Sequence, residues 1–148
     1  MKVKDCMCGE VYCVKPETTI NEVAKLMEKN HIGCVPVCDN QNSLVGLITD
    51  RDITLRTVAC DKDAKTTKAS DIMTCNVCTC NQNDTITDAE RKMAEYQIRR
   101  IPVVDNNKVI GILTFGDLVH YDREIGEEEF CSTVEDICEC GGQAKNNC

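Results

Sequence analysis

The sequence is written twice. Displaced by 66 positions, residues 5–40 fall on 71–106 with eleven identities, among them Met7/Met73, Val11/Val77, Thr19/Thr85, Met27/Met93, Ile32/Ile98 and Pro36/Pro102. One residue is then lost between "DNQNSLVG" and "DNNKVIG", after which Gly46, Thr49 and Asp52 fall on Gly111, Thr114 and Asp117. Such a repeat constrains the architecture before any single motif does, because both copies must fold alike. A unit of about 55 residues buries too little surface to be comfortable alone, so the copies are expected to cover one another.

Each copy reads strand, helix, strand, turn, strand, helix. In the first, "VYCV" (11–14) is a short strand, and Thr19 with Glu22 forms a capping box ahead of a helix. Ile20, Val23, Ala24 and Met27 recur along one face of that helix. The apolar runs "CVPVC" and "LVGLIT" are joined across Asp39-Asn40 as a hairpin. A second helix starts near Thr49 and carries Ile53, Leu55 and Val58. The second copy repeats this order, with Thr85/Asp88 as the box and "IPVV" and "VIGILT" as the hairpin. The fold class is therefore α+β, with two pseudo-symmetric β-α-β-β-α repeats whose three-stranded sheets face each other. The boundaries are 1–58 for repeat 1, 59–69 for a polar linker, 70–121 for repeat 2 and 122–148 for an acidic, Cys-containing tail. A pseudo-twofold pair leaves two equivalent clefts, where a ligand is expected.

Composition narrows the function. Apolar residues are 42% and aromatic residues 3%, so a core is available but no surface for stacking bases. The net charge of −8 argues against sequence-independent nucleic-acid binding, which depends on neutralising phosphates with Lys and Arg. No apolar run approaches the roughly 20 residues of a membrane helix, and "MKVKDCMCGE" lacks the apolar stretch of a signal peptide. A cytoplasmic protein is expected. There is no nucleophile–base–orienter set and no Gly-rich P-loop, and the imidazoles are His31 and His120. Binding, not catalysis, is the chemistry such a chain offers.

The order of elements, the Pro in the second strand of each copy and the closing "GLITDRD" (46–52) and "GILTFGD" (111–117) carry a resemblance. Over about 3–121 the chain resembles a tandem pair of CBS domains, the Bateman module, in its stand-alone bacterial and archaeal form. The resemblance implies dimerisation of the pair, an unnamed target protein and clefts that take adenosine derivatives such as AMP, ATP, NAD or S-adenosylmethionine. It also implies that Thr49/Asp52 and Thr114/Asp117 contact phosphate and ribose, each pair facing the strands of the other repeat.

Two readings of these motifs coexist. Thr is a preferred N-cap, and an acid three residues on suits the positive end of the helix macrodipole. The same helix start offers N–H groups to phosphate, and a carboxylate there can accept both ribose hydroxyls. What differs between the copies decides the preference. The preferred site joins Thr49, Arg51 and Asp52 with Val77, Ile98, Arg99 and Arg100, whose arginines suit an anionic ligand. The second joins Thr114 and Asp117 with Val11, Ile32 and Gly33, and no arginine is expected there.

Thirteen cysteines are unusual. Cys13, Cys34 and Cys38 lie in apolar runs and are expected as reduced core thiols. Cys78 and Cys80 share one face of a strand bordering the ligand. Cys131, Cys138, Cys140 and Cys148 are weak candidates for a metal, because their spacing is not that of a zinc module, and zinc is not expected. The resulting expectation is a non-enzymatic regulatory module for an adenosine-type ligand. The alternative is a ligand-free interaction dimer with metal- or redox-sensitive cysteines.

Overall fold

Each repeat opens with one four-residue helix that the sequence pattern does not predict. A computed structural model describes residues 1–121 and residue 134. Its elements run α1 (Val3–Cys6), α2 (Ile20–Asn30), β1 (Cys34–Cys38), β2 (Leu44–Thr49) and α3 (Asp50–Ile53), which continues into a π-helical turn (Thr54–Val58). They go on with α4 (Ala69–Ile72), β3 (Cys80–Asn81), α5 (Ile86–Tyr96), β4 (Arg100–Asp105), β5 (Lys108–Thr114) and α6 (Phe115–Tyr121). The chain forms two compact units. Among the described residues, one is Val11–Val77 and the other joins Met1–Glu10 to residues 78–121. The spatial units therefore exchange the opening segments of the two sequence repeats.

The exchange is visible in the cores. Val3 and Cys6 of α1 are buried with Ile86, Ala89, Met93, Ile101, Val103 and Leu113 of the second copy. Ala69 and Ile72 of α4 are buried with Ile20, Val23, Val35, Val37 and Ile48 of the first. The backbone follows suit. Thr67 and Ala64 carbonyls accept the N–H groups of Ile20 and Asn21 at the start of α2, each at 2.9 Å. The Met1 carbonyl accepts Ile86 N–H at 3.3 Å at the start of α5. These are helix-start donors with no intrahelical partner; the linker satisfies them at α2 and the N-terminal residue at α5. The C-terminal end of the polar linker is thus a packed part of the first unit, with Thr67 only 8% exposed.

Helices α2 and α5 begin where the capping residues place them. Thr19 Oγ1 accepts from Glu22 N–H and Glu22 carboxylate accepts from Thr19 N–H. Thr85 Oγ1 accepts from Asp88 N–H at 3.1 Å. Hydrogen bonding to Thr19 holds the Glu22 carboxyl below its usual range, and hydrogen bonding to Thr85 does so for Asp88. Both helices close on a left-handed residue without glycine, His31 at φ 53° and Gln97 at φ 51°.

The sheets differ. In the second copy β3 pairs in parallel with β4, and β4 antiparallel with β5, giving three strands. In the first, β1 and β2 pair antiparallel, and the expected strand 11–14 contributes one parallel bridge, Val14 to Val37. Lys15-Pro16 follows Val14 at once, and a proline has no N–H to extend a ladder. Cys13 consequently lies outside any strand and is exposed, a correction to its expected place in the core; Cys34 and Cys38 are buried as expected. The hairpins also differ by the deleted residue. Asn106 and Asn107 both take positive φ (48° and 64°), the geometry of a two-residue type I′ turn. In the longer turn the Asp39 carboxylate accepts the N–H groups of Gln41 and Ser43.

Candidate functional site

Each "G-h-h-T-x-x-D" stretch ends a strand and starts a helix, and the two starts are built alike. Thr49 N–H donates to Asp52 Oδ2 at 2.9 Å, Thr49 Oγ1 donates to the same oxygen at 3.0 Å, and Asp52 N–H donates back to Thr49 Oγ1 at 3.2 Å. At Thr114 and Asp117 the same three bonds measure 2.7, 2.7 and 3.2 Å. All four residues are half-buried. The helix-capping role of both motifs is therefore realised, with one carboxylate oxygen committed to the cap in each.

The motif glycine has a separate cause. A Cβ on Gly46 would stand 2.8 Å from Met73 Cγ, and one on Gly111 would stand 2.5 Å from Met7 Sδ. Both methionines belong to the exchanged segments, whose backbones pair with the glycine strands. Leu47 and Thr74 exchange two bonds (3.0 and 2.9 Å), as do Cys8 and Ile112 (2.9 and 3.0 Å). The recurrence of Met7/Met73 and Gly46/Gly111 in register was the signal for this packing.

Around the caps the copies diverge. Arg56, one turn beyond Asp52, places Nη2 3.7 Å from Asp52 Oδ1. Its Nη1 donates to the Ile72 carbonyl at 2.8 Å and to Thr74 Oγ1 at 3.2 Å. Sequence reasoning missed Arg56 because the second copy has Tyr121 at this position. Beyond Ile53 the helix widens: Ala59 N–H bonds the Thr54 carbonyl, five residues back. This turns Thr57 inward, to 1% exposure, and leaves its hydroxyl without a hydrogen-bond partner among the described residues. Leu55 and Val58, read as part of an apolar helix, point out instead, 47% and 67% exposed. Single-turn π segments are frequent at functional sites.

The expected site residues sort as follows. Thr49, Arg51, Asp52 and Val77 lie in the Val11–Val77 unit; Ile98, Arg99 and Arg100 lie in the other. Val11, Ile32 and Gly33 lie with Thr49, whereas Thr114 and Asp117 lie with Arg99 and Arg100. Inside each unit the start of the middle strand abuts the cap. Asp50 N–H donates to the Gly33 carbonyl at 3.1 Å, and Cys34 pairs with Thr49. Phe115 N–H donates to the Arg99 carbonyl at 2.8 Å, and Arg100 pairs with Thr114. Arg51 and Arg99 are exposed and Arg100 is half-buried. Burial raises the Cys80 thiol to about 11, and it raises Cys78 as well; Cys80 packs in the core. Cys131, Cys138, Cys140 and Cys148 lie outside the described residues. Among the described residues no group of three or more His, Cys, Asp or Glu side chains is arranged to hold a metal. No described helix is long and apolar enough to cross a membrane.

The sequence pattern of the CBS domain matches residues 3–57 and again 69–124. The chain belongs to the CBS-domain family. This CBS-domain pair is 44% identical over 116 residues to the CBS domain-containing protein YhcV of Bacillus subtilis, covering 78% of this chain and 81% of YhcV. Its fold is similar to that of the CBS domain pair of protein MJ0100, solved in complex with 5′-methylthioadenosine and S-adenosyl-L-methionine. That match has a TM-score of 0.75 and 32% identity over 81% of this chain and 94% of the other. It is also similar to CBSX2 in complex with AMP, with a TM-score of 0.72 and 30% identity over 84% and 97% of the two chains.

Proposed function

We propose that this CBS-domain pair is a non-enzymatic regulatory module that binds an adenosine-containing nucleotide at its Thr-x-x-Asp helix starts. The observation that carries the reading is the duplicated cap, which fixes a carboxylate beside helix N–H groups in each copy. A carboxylate so placed can accept ribose hydroxyls while the helix start faces phosphate. The adenosine compounds bound by MJ0100 and CBSX2 support the ligand class. The start at Thr49 is the preferred site for an anionic ligand. Arg51 and Arg56 belong to its own helix, and Gly116 and Tyr121 replace them in the second copy. The protein acts in the cytoplasm, as a homodimer, by changing its affinity for a target protein when ligand binds. The coupling is linkage: the ligand shifts states only through its differential affinity for them.

Thermal denaturation with AMP, ATP, NAD, S-adenosylmethionine and cyclic dinucleotides tests this. A ligand at one hundred times its Kd stabilises the native state by about 2.7 kcal/mol. Asp52→Ala is expected to remove most of the shift and Asp117→Ala less. No shift with any compound at millimolar concentration overturns the nucleotide reading, and equal effects of the two Asp variants overturn the preference.

A second reading, a ligand-free interaction dimer, is supported by the exposure of Leu55 and Val58 on one helix. Here Leu55→Glu with Val58→Glu is expected to dissociate the dimer in sedimentation. An unchanged sedimentation coefficient overturns it.

A further inference from the structure

Asp52 uses its two carboxylate oxygens differently. Oδ2 is committed to the cap, accepting Thr49 N–H at 2.9 Å and the Thr49 hydroxyl at 3.0 Å. Oδ1 faces Arg56, whose Nη2 lies 3.7 Å away. That separation is too long for a hydrogen bond, so the pair is electrostatic and Oδ1 keeps its acceptor capacity for other donors. The guanidinium is anchored from its other side. Its Nη1 donates to the Ile72 carbonyl at 2.8 Å and to Thr74 Oγ1 at 3.2 Å, both on the segment that opens the second repeat. The Asp52 side chain is 15% exposed and that of Arg56 33%, so solvent screens the pair only in part. The second copy keeps the capping Thr and Asp but has Tyr121 in place of Arg56 and Cys8 in place of Thr74. The arginine and its hydroxyl acceptor thus occur together, and in one copy alone.

We propose that Arg56 is a positioning residue for this site: held by Ile72 and Thr74, it directs Asp52 Oδ1 towards the hydroxyls of a bound ribose and makes the Thr49 start selective for ribonucleotides. The inference rests on the nucleotide reading of that site and adds a specificity to it. A carboxylate free to turn about its side chain presents that oxygen in several directions, and a ribose then has to order it on binding. Cap and guanidinium hold it from two sides, so the ordering is complete before a ligand arrives. Arg56 acts through Asp52, since its Nη1 is committed to protein acceptors and its Nη2 faces the carboxylate. A deoxynucleotide leaves the aimed oxygen without one of its donors, which a site built for a hydroxyl penalises.

The test compares AMP with 2′-deoxy-AMP, and ATP with 2′-deoxy-ATP, by titration calorimetry on the full chain. The parent is expected to prefer the ribonucleotide about tenfold. Arg56→Met, which keeps a long side chain and removes the fork, is expected to reduce the preference to about twofold. Thr74→Val leaves Arg56 and Asp52 in place and is expected to give an intermediate preference, because the Ile72 carbonyl still holds the guanidinium. In an Asp52→Ala chain, Arg56→Met is expected to change the ratio no further. Both sugars are read on one chain, so a general loss of stability cancels from the ratio. Equal affinity of the parent for the two sugars, or an unchanged ratio in Arg56→Met and Thr74→Val, overturns the positioning role and leaves the nucleotide reading standing. A change of the ratio by Arg56→Met when Asp52 is already absent also overturns it. Absence of binding by any ribonucleotide to the parent overturns the nucleotide reading, and this inference with it.

Discussion

Arg56 joins Asp52 to the segment that opens the second repeat: one amino nitrogen lies 3.7 Å from the carboxylate and the other bonds the Ile72 carbonyl and the Thr74 hydroxyl. The ion pair alone, partly exposed, would contribute little. The bond to a buried-end carbonyl adds to it, since charged hydrogen bonds are worth more than neutral ones. Arg56→Ala is expected to lower stability by about 1–2 kcal/mol. Arg56→Lys is expected to recover only part, because an ammonium lacks the planar fork. Urea unfolding checks this, and full recovery by Lys would show that charge alone matters.

The motif glycines yield a differential expectation. Gly46→Ala and Gly111→Ala should each cost about 1–3 kcal/mol by overpacking against Met73 and Met7. Truncating Met73 should relieve Gly46→Ala substantially. Truncating Met7 should relieve Gly111→Ala less, because the Cys8 carbonyl oxygen also stands 3.1 Å from the new Cβ. Chemical denaturation of the four double and single variants measures the difference.

Buried thiols set an alkaline limit. Cys38 and Cys80 are raised from 9.0 to about 12 and about 11, chiefly by burial. A raised folded value means the native state holds protons that the unfolded chain has released. The stabilisation is full below about pH 9 and is lost as pH rises towards 11–12. Cys38→Val and Cys80→Val borrow the residues of the opposite copy, Val104 and Val14. The double variant should show a flatter decline of stability between pH 9 and 11 than the parent; an identical decline would assign the limit to other groups.

In acid the sign reverses. Glu22 and Asp88 are held low by their capping threonines, so their contribution is present above the ordinary carboxylate range and lost as pH falls through the lowered values. Glu22→Gln with Asp88→Asn should flatten the acid limb of the stability profile. Thr19→Ala and Thr85→Ala should each cost about 1 kcal/mol at neutral pH. Thermal melts across an acid series compare the two pairs.

What the sequence revealed was local or repeated. The capping threonines placed α2 and α5, the Asp and Asn turns placed both hairpins, and the repeat paired each element with its counterpart. The four-residue helices α1 and α4 have too little length for a periodicity. Their exchange between copies is a long-range choice of partner that no local pattern encodes. Leu55 and Val58 misled because a π-helical turn resets the helical face, and Cys13 because Pro16 ends its strand early. At the site, the caps at Thr49 and Thr114 were legible as chemistry, whereas Arg56 acts through backbone groups some sixteen residues away.

The crossed placement of α1 and α4 has a consequence for any half-length chain. A fragment cut at the boundary between repeats keeps a leading helix whose methionine fits the other fragment's glycine. Neither half is then self-sufficient, yet two different halves mixed in solution carry complementary pieces. The molecule behaves as a reciprocal clasp closed by its own connection, and cutting that connection turns an intramolecular fit into a concentration-dependent one.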